Sequence, residues 1–440
     1  MMPDMRARPK VLRLSAAPIA ALVLAACVSA GSGASASSGL PSPTSGAVAP
    51  TMTPTGAPVP PTPASTSPGA GAGPSVTPWG RAIDRLIGQR QISVAVRVGP
   101  ALTYAHLAAV RRAPASNEKL LLSMTALAQL GPDYRIPTQA SAVPGTLRKG
   151  VVRGDLWIVG HGDPEFGDTG AVALAAKIRA AGVRRITGAV LGDTGGFVRD
   201  RHAPGWHPLA LDNVGLPTAL SFDHNIAPSG FVLIPELHAA RAVTAALRQV
   251  GVKVGSAARA AVASVSLNPV ATVLSAPLAD ILHRQNITSD NTDAETLSKL
   301  LGAQFGGQGS IAAGASVIQA WLHDRGVEAK VLDASGLSYR DRISPLDLTR
   351  LLTSALHRPW GALLRASLPG PGEGTLVSRL AGIAVRAKTG TLTQGISALS
   401  GYLRLRSGRT ATFSILSQGL TKDEAIRIED AIVRTVAAKA

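Results

Sequence analysis

The amino-acid sequence predicts an α/β fold in which the two ends of the chain build one discontinuous domain around an inserted β-rich subdomain. Three observations support this prediction. The chain has 440 residues, of which 45% are hydrophobic and 16% charged, enough for one large or two ordinary domains that each bury a core. Strand and helix patterns occur at both ends of the chain. The segment between them is richer in glycine and in short apolar runs.

The amino-terminal part of the discontinuous domain is predicted at residues 79–137. Residues 79–88 have the pattern of a helix, and residues 92–98 alternate between the two faces as a strand does. The apolar run at residues 120–130 predicts a second helix. Gly131-Pro132 ends this helix, because glycine followed by proline disfavours its continuation.

The carboxyl-terminal part of the same domain is predicted at residues 266–440. Thr421-Lys422-Asp423-Glu424 has the spacing of a capping box, and isoleucine and valine recur after it at near-helical spacing, so we expect a closing helix. A turn at Ser407-Gly408 separates the last two of three consecutive strands. These strands are predicted at residues 383–388, 397–405 and 410–416.

The inserted subdomain is predicted at residues 138–265. This segment carries short apolar runs bounded by glycine, among them residues 154–160 and 186–193. Short apolar runs between turn signals predict buried strands, and we expect helices beside them. The sequence shows no repeat of fixed period that would indicate a solenoid or a propeller.

The amino terminus has the layout of a signal peptide over residues 1–26, with basic residues before an apolar run shorter than a membrane span of roughly 20 residues. Leu24-Ala25-Ala26-Cys27 resembles a bacterial lipobox, in which the cysteine sulfur carries a diacylglyceryl group. Cleavage after Ala30 and a buried free cysteine are the alternatives. The lipobox and cleavage after Ala30 both send the chain out of the cytoplasm, and we expect it in the cell envelope. The lipobox also predicts a lipid anchor on the outer face of the cytoplasmic membrane, where two or more acyl chains hold a protein stably.

Residues 27–78 are predicted to be a disordered tether rich in proline, serine, glycine and threonine. From Val28 to Gly80 the sequence has eleven prolines and no charged residue. A segment of this composition cannot bury enough apolar surface to fold. Its ends would lie roughly 40 Å apart as a coil and roughly 150 Å apart when fully extended. That reach would let the folded part of the chain act on a layer above the membrane.

The formal charge is +17, and loss of residues 1–26 removes four cationic side chains and Asp4, which leaves +14. Aromatic residues make up only 3% of the chain, too few to stack the bases of single-stranded nucleic acid. We therefore expect no nucleic-acid partner, and we expect anionic neighbours such as lipid headgroups or wall polymers. The single cysteine excludes a disulfide framework and a CxxC metal or redox site.

Three short motifs occur in order along the chain: Ser116-Asn117-Glu118-Lys119 at a helix start, Ser289-Asp290-Asn291 after a helical stretch, and Lys388-Thr389-Gly390-Thr391 at the end of a strand. A serine three residues before a lysine is by itself a weak signal, because a chain of this composition contains about one by chance. The ordered set, with each motif in this setting, is the signature of penicillin-binding proteins and serine β-lactamases.

The residue types of the first two motifs fit acyl transfer through a serine ester. Residues three apart on a helix are neighbours, so Lys119 can reach the hydroxyl of Ser116 and, as a neutral amine, remove its proton. Burial and nearby cations are what bring a lysine pKa toward neutrality. Ser289 can relay a proton to the leaving amine. Asn291 can donate its amide to the substrate backbone and help to fix Lys119.

The third motif has the residue types of a substrate-binding strand. Lys388 supplies positive charge for a substrate carboxylate, and the Thr389 hydroxyl can add a hydrogen bond, with Gly390 completing the triplet. The backbone N–H groups of Ser116 and Thr391 are the natural donors to an oxyanion. Each such donor stabilises a transition state by about 3–4 kcal/mol.

From about Trp79 to its end, the sequence resembles the D-alanyl-D-alanine carboxypeptidases/endopeptidases of the low-molecular-mass class C penicillin-binding proteins. The resemblance implies an antiparallel sheet flanked by helices, with inserted domains between the first two motifs. It implies hydrolysis of D-Ala-D-Ala termini or of peptide crosslinks in peptidoglycan, acylation by penicillin and other β-lactams, and no cofactor. Beyond the three motifs it rests on segments that β-lactamases do not need, Leu130-Gly131-Pro132-Asp133-Tyr134-Arg135, Leu156-Trp157-Ile158-Val159-Gly160-His161-Gly162-Asp163-Pro164 and Asp333-Ala334-Ser335-Gly336-Leu337-Ser338.

Two features depart from the family pattern. Ala334 stands where the family usually has glycine, which affects a loop near the cleft. The separation of 173 residues between Ser116 and Ser289 is short for the family, so we expect one inserted domain to be reduced or absent. Neither departure removes a reacting group.

Other functions stay open from the sequence. A β-lactamase or esterase can use the same scaffold, and a non-catalytic wall-binding lipoprotein needs only the charge and the tether. Carboxypeptidase and endopeptidase action share one acylating centre, so the sequence does not separate them. His202 and His207, near Asp200, have usable spacing for zinc, but the surrounding segment has the composition of a loop and offers no clear third ligand. We therefore predict no metal site.

Overall fold

A computed structural model of the chain describes residues 78–439. The predicted signal peptide, Cys27 and nearly all of the predicted tether lie outside the described residues. Within residues 78–439, none of the helices combines the length and the apolar character that a membrane span requires.

The described part of the chain contains ten α-helices. They are α1 (Pro78–Ile87), α2 (Glu118–Gln129), α3 (Asp168–Ala180), α4 (Pro235–Gln249), α5 (Leu278–Thr288), α6 (Asn291–Phe305), α7 (Ile311–His323), α8 (Pro345–Ala355), α9 (Gly361–Ser367) and α10 (Lys422–Lys439).

The same residues contain sixteen strands, several of them only two residues long. They are β1 (Gln91–Val98), β2 (Ala101–His106), β3 (Pro137–Ala142), β4 (Leu147–Arg148), β5 (Val151–Val152), β6 (Leu156–Gly160), β7 (Arg185–Ile186), β8 (Val190–Asp193), β9 (Ile226–Ala227), β10 (Gly230–Phe231), β11 (Lys253–Val254), β12 (Arg259–Ala261), β13 (Asn268–Leu274), β14 (Val385–Leu392), β15 (Ile396–Arg404) and β16 (Thr410–Gln418).

One antiparallel sheet joins the two ends of the described chain. Its strand order is β14-β15-β16-β1-β2, so β16 and β1, which are more than 300 residues apart in sequence, are hydrogen-bonded neighbours. Val94 of β1 lies opposite Ile415 of β16, and both side chains are fully buried. The predicted α/β fold with an antiparallel sheet flanked by helices is confirmed.

Each face of this sheet is covered by helices. The closing helix α10 packs with α1 on one face, where Ile83, Ile432 and Val433 contact Phe413 and other apolar side chains of the sheet. The opposite face contributes Ala398 and Leu416 to a larger core built with α2 and α5–α9. The motif residues lie on the side of this larger core, and burial of its apolar surface holds their helices against the sheet.

The middle of the chain builds two larger sheets with α3 and α4, in addition to the two-stranded sheet of β9 and β10. One has the order β12-β8-β6-β3-β13 and the other the order β11-β7-β5-β4, and both mix parallel with antiparallel pairs. A separate core lies here, with Leu174, Ile178, Val243 and Leu247 of the two helices among its buried side chains. The apolar run at residues 186–193 contributes to both sheets, because the chain bends at Gly188 between β7 and β8.

Two predicted boundaries differ from the structure. The insert was predicted to end at residue 265, but β13 lies after that residue and pairs along its length with β3 at the start of the insert. The first carboxyl-terminal strand was predicted to end at Lys388, but β14 continues to Leu392. The third motif therefore lies inside a paired strand, with Lys388 opposite Ser400 of β15, and this pairing fixes its backbone.

Candidate active site

Ser116 lies in a short 3₁₀ turn, Ala115–Asn117, that leads directly into α2. Ala115, just before it, has a φ of 47°, a conformation that L-residues adopt only where the surroundings impose it. Two glycines press against this turn. A methyl group on Gly336 would overlap the Ala115 carbonyl oxygen, and one on Gly390 would lie 2.9 Å from the Ser116 nitrogen. Only glycine allows the backbone to approach the turn from both sides.

Lys119 lies one turn after Ser116 on α2 and is 0% exposed to solvent. Its Nζ lies 3.2 Å from Ser116 Oγ, 2.7 Å from Asn291 Oδ1 and 2.6 Å from the carbonyl oxygen of Ser335. Burial lowers the pKa of Lys119 to about 8, although the carboxylates of Asp333 and Glu295 act in the opposite direction. The three oxygens therefore surround an amine that loses its proton more readily than an ordinary lysine.

The second motif lies where one helix ends and the next begins. Ser289 ends α5 with a left-handed backbone, at a φ of 61°. Asp290 then caps α6, because its side chain accepts the N–H of Asp293 at 2.9 Å. Asn291 is the first residue of α6 and uses both ends of its amide: Oδ1 accepts from Lys119, and Nδ2 donates to the Asn213 carbonyl at 2.9 Å.

Lys388 approaches the same centre from the edge strand β14. Its Nζ donates to Ser289 Oγ at 2.8 Å and to the carbonyl of Thr389 at 3.1 Å, and its side chain is 0% exposed. Burial and then the positive charge of Lys119 lower the pKa of Lys388 well below its ordinary value. Among residues 78–439 no carboxylate pairs with Lys388, so an incoming anion that paired with it would favour the charged form of this amine.

The motif residues meet at one cavity of about 250 Å³. Ser116, Ser289, Asn291 and Thr391 line it, and the two lysines lie beneath them. Its outer wall comes from residues that the sequence analysis did not single out for the site, among them Leu209, Ala210, Asn213, Leu337, Tyr339 and Thr393. A larger cavity of about 410 Å³ lies beside Arg365, Arg386 and Arg404 and contains none of the predicted site residues.

The loop from Asp333 to Ser338 packs beneath this centre. Asp333 accepts the N–H groups of Gly336 and Ser338 at 2.7 and 2.8 Å and the indole N–H of Trp206 at 2.5 Å. These three hydrogen bonds hold the loop in its conformation. Ala334, which departs from the family pattern, has no positive φ and therefore causes no backbone strain.

Sequence reasoning missed one hydrogen-bond partner of Lys119, the Ser335 carbonyl, and one residue that holds the loop of that partner, Glu295. Because the Ser335 carbonyl belongs to the backbone, no pattern of residue types predicts its position. Glu295 accepts the N–H groups of that loop, and it lies four residues after Asn291 on α6, so helical spacing would have placed it on the same face as the motif.

The histidines considered for zinc have other partners. The ring of His202 packs at 5.9 Å against that of Trp206, and His207 Nδ1 accepts the N–H of Leu209 at 3.2 Å. Among the described residues, the group with metal-compatible spacing is His224, Asp290 and Asp293 instead. There the His224 ring nitrogen and Asp293 Oδ1 lie 3.0 Å apart, and this hydrogen bond raises the pKa of His224 to about 9.

The fold and this geometry agree with the comparison to known families. The model of the D-Ala-D-Ala carboxypeptidase 3 (S13) family matches residues 89–226 and 229–439. The chain belongs to this family. The match includes all three motifs and the segment inserted between the first two.

Curated relatives carry names of the same family. A D-alanyl-D-alanine carboxypeptidase of Actinomadura sp. (strain R39) is 29% identical over 409 residues, covering 72% of this chain and 76% of the relative. Carboxypeptidase DacB of Mycolicibacterium smegmatis is 31% identical over 361 residues, covering 73% and 75%. Among solved structures, penicillin binding protein 4 of Haemophilus influenzae has a TM-score of 0.70 at 17% identity, covering 81% of this chain and 98% of that one, which shows a shared fold.

The close approach of Gly336 to the serine turn gives a stability prediction. Gly336→Ala and Gly382→Ala both place an L-residue at a φ of +78°, which costs about 1–2 kcal/mol. Only Gly336 has backbone against it, so its variant is expected to lose a further 1–3 kcal/mol, roughly the cost of overpacking. Denaturant unfolding of the two variants measures this difference. Equal losses would show that the turn does not need the glycine.

Proposed function

We propose that this chain is a serine-type D-Ala-D-Ala carboxypeptidase or endopeptidase that cleaves the peptide stems of peptidoglycan through an acyl-enzyme on Ser116. The observation that carries the proposal is the 3.2 Å contact between Lys119 Nζ and Ser116 Oγ, within a cavity that Lys388 approaches from the other side. Membership of the S13 family and the names of the relatives support the same reaction.

The partners of Lys119 suit a general base. A neutral lysine amine has two N–H hydrogens and one lone pair. Asn291 Oδ1 and the Ser335 carbonyl can each accept one hydrogen, which leaves the lone pair for the proton of the Ser116 hydroxyl. The lowered pKa of Lys119 makes this neutral form accessible near physiological pH.

Acylation follows from this arrangement. The Ser116 proton passes to Lys119 as Oγ bonds the carbonyl carbon of the penultimate D-Ala. The carbonyl oxygen becomes an oxyanion, with the backbone N–H groups of Ser116 and Thr391 assigned as its donors. The C–N bond then breaks, and the proton moves from Lys119 through the Ser289 hydroxyl to the departing amine. Water later cleaves the ester and restores Ser116.

Lys388 and Thr389 are assigned to the terminal carboxylate of the substrate, with Gly390 letting the strand lie close to the serine turn. A β-lactam carries a carboxylate beside a reactive amide, so it can enter the same clamp and acylate Ser116. The Haemophilus influenzae protein has been solved in complex with a β-lactam. We infer that β-lactams inhibit this chain in the same way.

The intact mass of the full chain after incubation with benzylpenicillin tests the serine assignment. Wild type is expected to gain the mass of one penicilloyl group, and Ser116→Ala is expected to gain none, because no other hydroxyl contacts Lys119 Nζ among the described residues. Ser316→Ala, an exposed serine on α7, is the matched control and is expected to label fully. Hydrolysis of a D-Ala-D-Ala peptide by wild type and not by Ser116→Ala completes the test.

Three results would contradict the assignment. Labelling of Ser116→Ala would place the nucleophile elsewhere. A folded wild type that leaves penicillin intact and forms no adduct would favour the non-catalytic wall-binding interpretation. Turnover of many equivalents of penicillin would favour a β-lactamase.

We also propose that residues 1–26 direct export, that Cys27 carries a lipid anchor, and that residues 27–78 tether the enzyme to the membrane. Cys27→Ala is expected to move the protein from the membrane fraction to the medium, because the thioether lipid can no longer form. Ser29→Ala is the matched control and is expected to stay with the membrane. Equal partition of the Cys27→Ala variant and wild type would contradict the anchor.

A further inference from the structure

Glu295 is a fully buried acid that the proposed reaction does not use. It lies on α6, one helical turn after Asn291, and its side chain is 0% exposed. One oxygen, Oε1, accepts both the N–H of Ala334 at 3.0 Å and the N–H of Ser335 at 2.7 Å. The other oxygen, Oε2, has no hydrogen-bond partner among the described residues. A buried carboxylate is retained only where its hydrogen bonds offset the cost of desolvation.

These two hydrogen bonds join α6 to the Asp333–Ser338 loop, and both elements contact the amine of Lys119. Asn291 and Glu295 belong to one helix, and Glu295 fixes the loop whose Ser335 carbonyl accepts from Lys119. Asp333 secures the rest of that loop by accepting the N–H groups of Gly336 and Ser338. Without Glu295 the N–H groups of Ala334 and Ser335 would lose their acceptor, and the loop would have to move to satisfy them.

We propose that Glu295 is a positioning residue for acyl transfer: by anchoring the loop at Ala334 and Ser335 to α6, it holds the second acceptor of Lys119 in place, so that the amine lone pair faces Ser116. This inference rests on the proposed function. If the Ser335 carbonyl moved by about 1 Å, Nζ could rotate away from the serine, and errors of this size can slow an enzyme by about 100-fold.

The competing account is that Glu295 acts by charge alone. Several carboxyl groups face Lys119 from the elements packed around it. Asp290 and Glu295 belong to the second motif and its helix, Asp333 to the loop, and Glu118 to α2 itself, with Lys388 as the nearby cation. The carboxylate of Glu295 raises the pKa of Lys119, so its removal would ease deprotonation of the base. The two accounts therefore predict different effects for a variant that removes the charge of Glu295 and for a variant that shortens its side chain.

Two variants make this separation. Glu295→Gln keeps a carbonyl oxygen at the position of Oε1 and removes the charge, and the new amide group replaces the oxygen that has no partner. Glu295→Asp keeps the charge and withdraws the oxygen by one methylene, so it cannot reach both N–H groups. Glu118→Gln is the matched control, since Glu118 is also a buried carboxyl beside Lys119 but makes no hydrogen bond to the loop.

The measurement is the rate of benzylpenicillin acylation of the full chain between pH 5 and pH 10, with melting temperature recorded for each variant. The wild-type rate is expected to rise with pH through about 8, as Lys119 loses its proton. Glu295→Gln is expected to stay within about threefold of wild type at the plateau, with its rise shifted to lower pH. Glu295→Asp is expected to be slower by about 100-fold at every pH while remaining folded. Glu118→Gln is expected to retain the wild-type plateau.

The proposal is overturned if Glu295→Asp keeps the wild-type plateau, or if Glu295→Gln is as slow as Glu295→Asp. The proposal is also overturned if Glu118→Gln lowers the plateau rate of acylation as much as Glu295→Asp does. The effect would then follow from changing any carboxyl group near Lys119. Absence of an adduct on wild type would contradict the proposed function itself, so the two failures are distinct.

Discussion

The amine of Lys119 has to be kept out of water and still be surrounded by oxygens. Desolvation favours the neutral amine, but a dry amine without acceptors would be costly and its lone pair would have no fixed direction. The structure satisfies both needs by bringing three oxygens to within 3.2 Å of Nζ from three different parts of the chain. One comes from the serine turn, one from the start of α6 and one from the backbone of the Asp333–Ser338 loop.

Most of the fold around this amine can be understood as support for those three contacts. The antiparallel sheet joins the two ends of the described chain and carries Lys388 on its edge strand, where pairing with β15 fixes the backbone. The large core behind the site holds α2, α5 and α6 together, so Ser116, Ser289 and Asn291 converge. Gly336 and Gly390 allow the loop and the strand to close on the serine turn, which is held in a conformation that Ala115 would not adopt freely.

The sequence predicted the side chains of the site better than it predicted the backbone. Ser-x-x-Lys, Ser-x-Asn and Lys-Thr-Gly are recognised from residue types. In the structure Ser116, Ser289 and Asn291 line one cavity, and Lys119 and Lys388 are hydrogen-bonded to them. The Ser335 carbonyl has no residue-type signature. Glu295 could have been predicted only by extending the helical spacing of α6 past the Ser-x-Asn motif. The strand β13 and the split of residues 186–193 between two sheets depend on pairings across the chain, which local patterns do not specify.

The central claim is that Lys119 is an oriented base whose lowered pKa makes its neutral form accessible, and direct titration of its side chain tests this most closely. Lysine side chains labelled with ¹⁵N can be followed by NMR in the full chain, with the Lys119 signal assigned by its loss in Lys119→Arg. The account predicts that Lys119 titrates at a pKa of about 8, below the value near 10.4 that is ordinary for lysine. Titration above about 10, in a protein that penicillin still acylates, would contradict it, because the base would then be cationic throughout the working range.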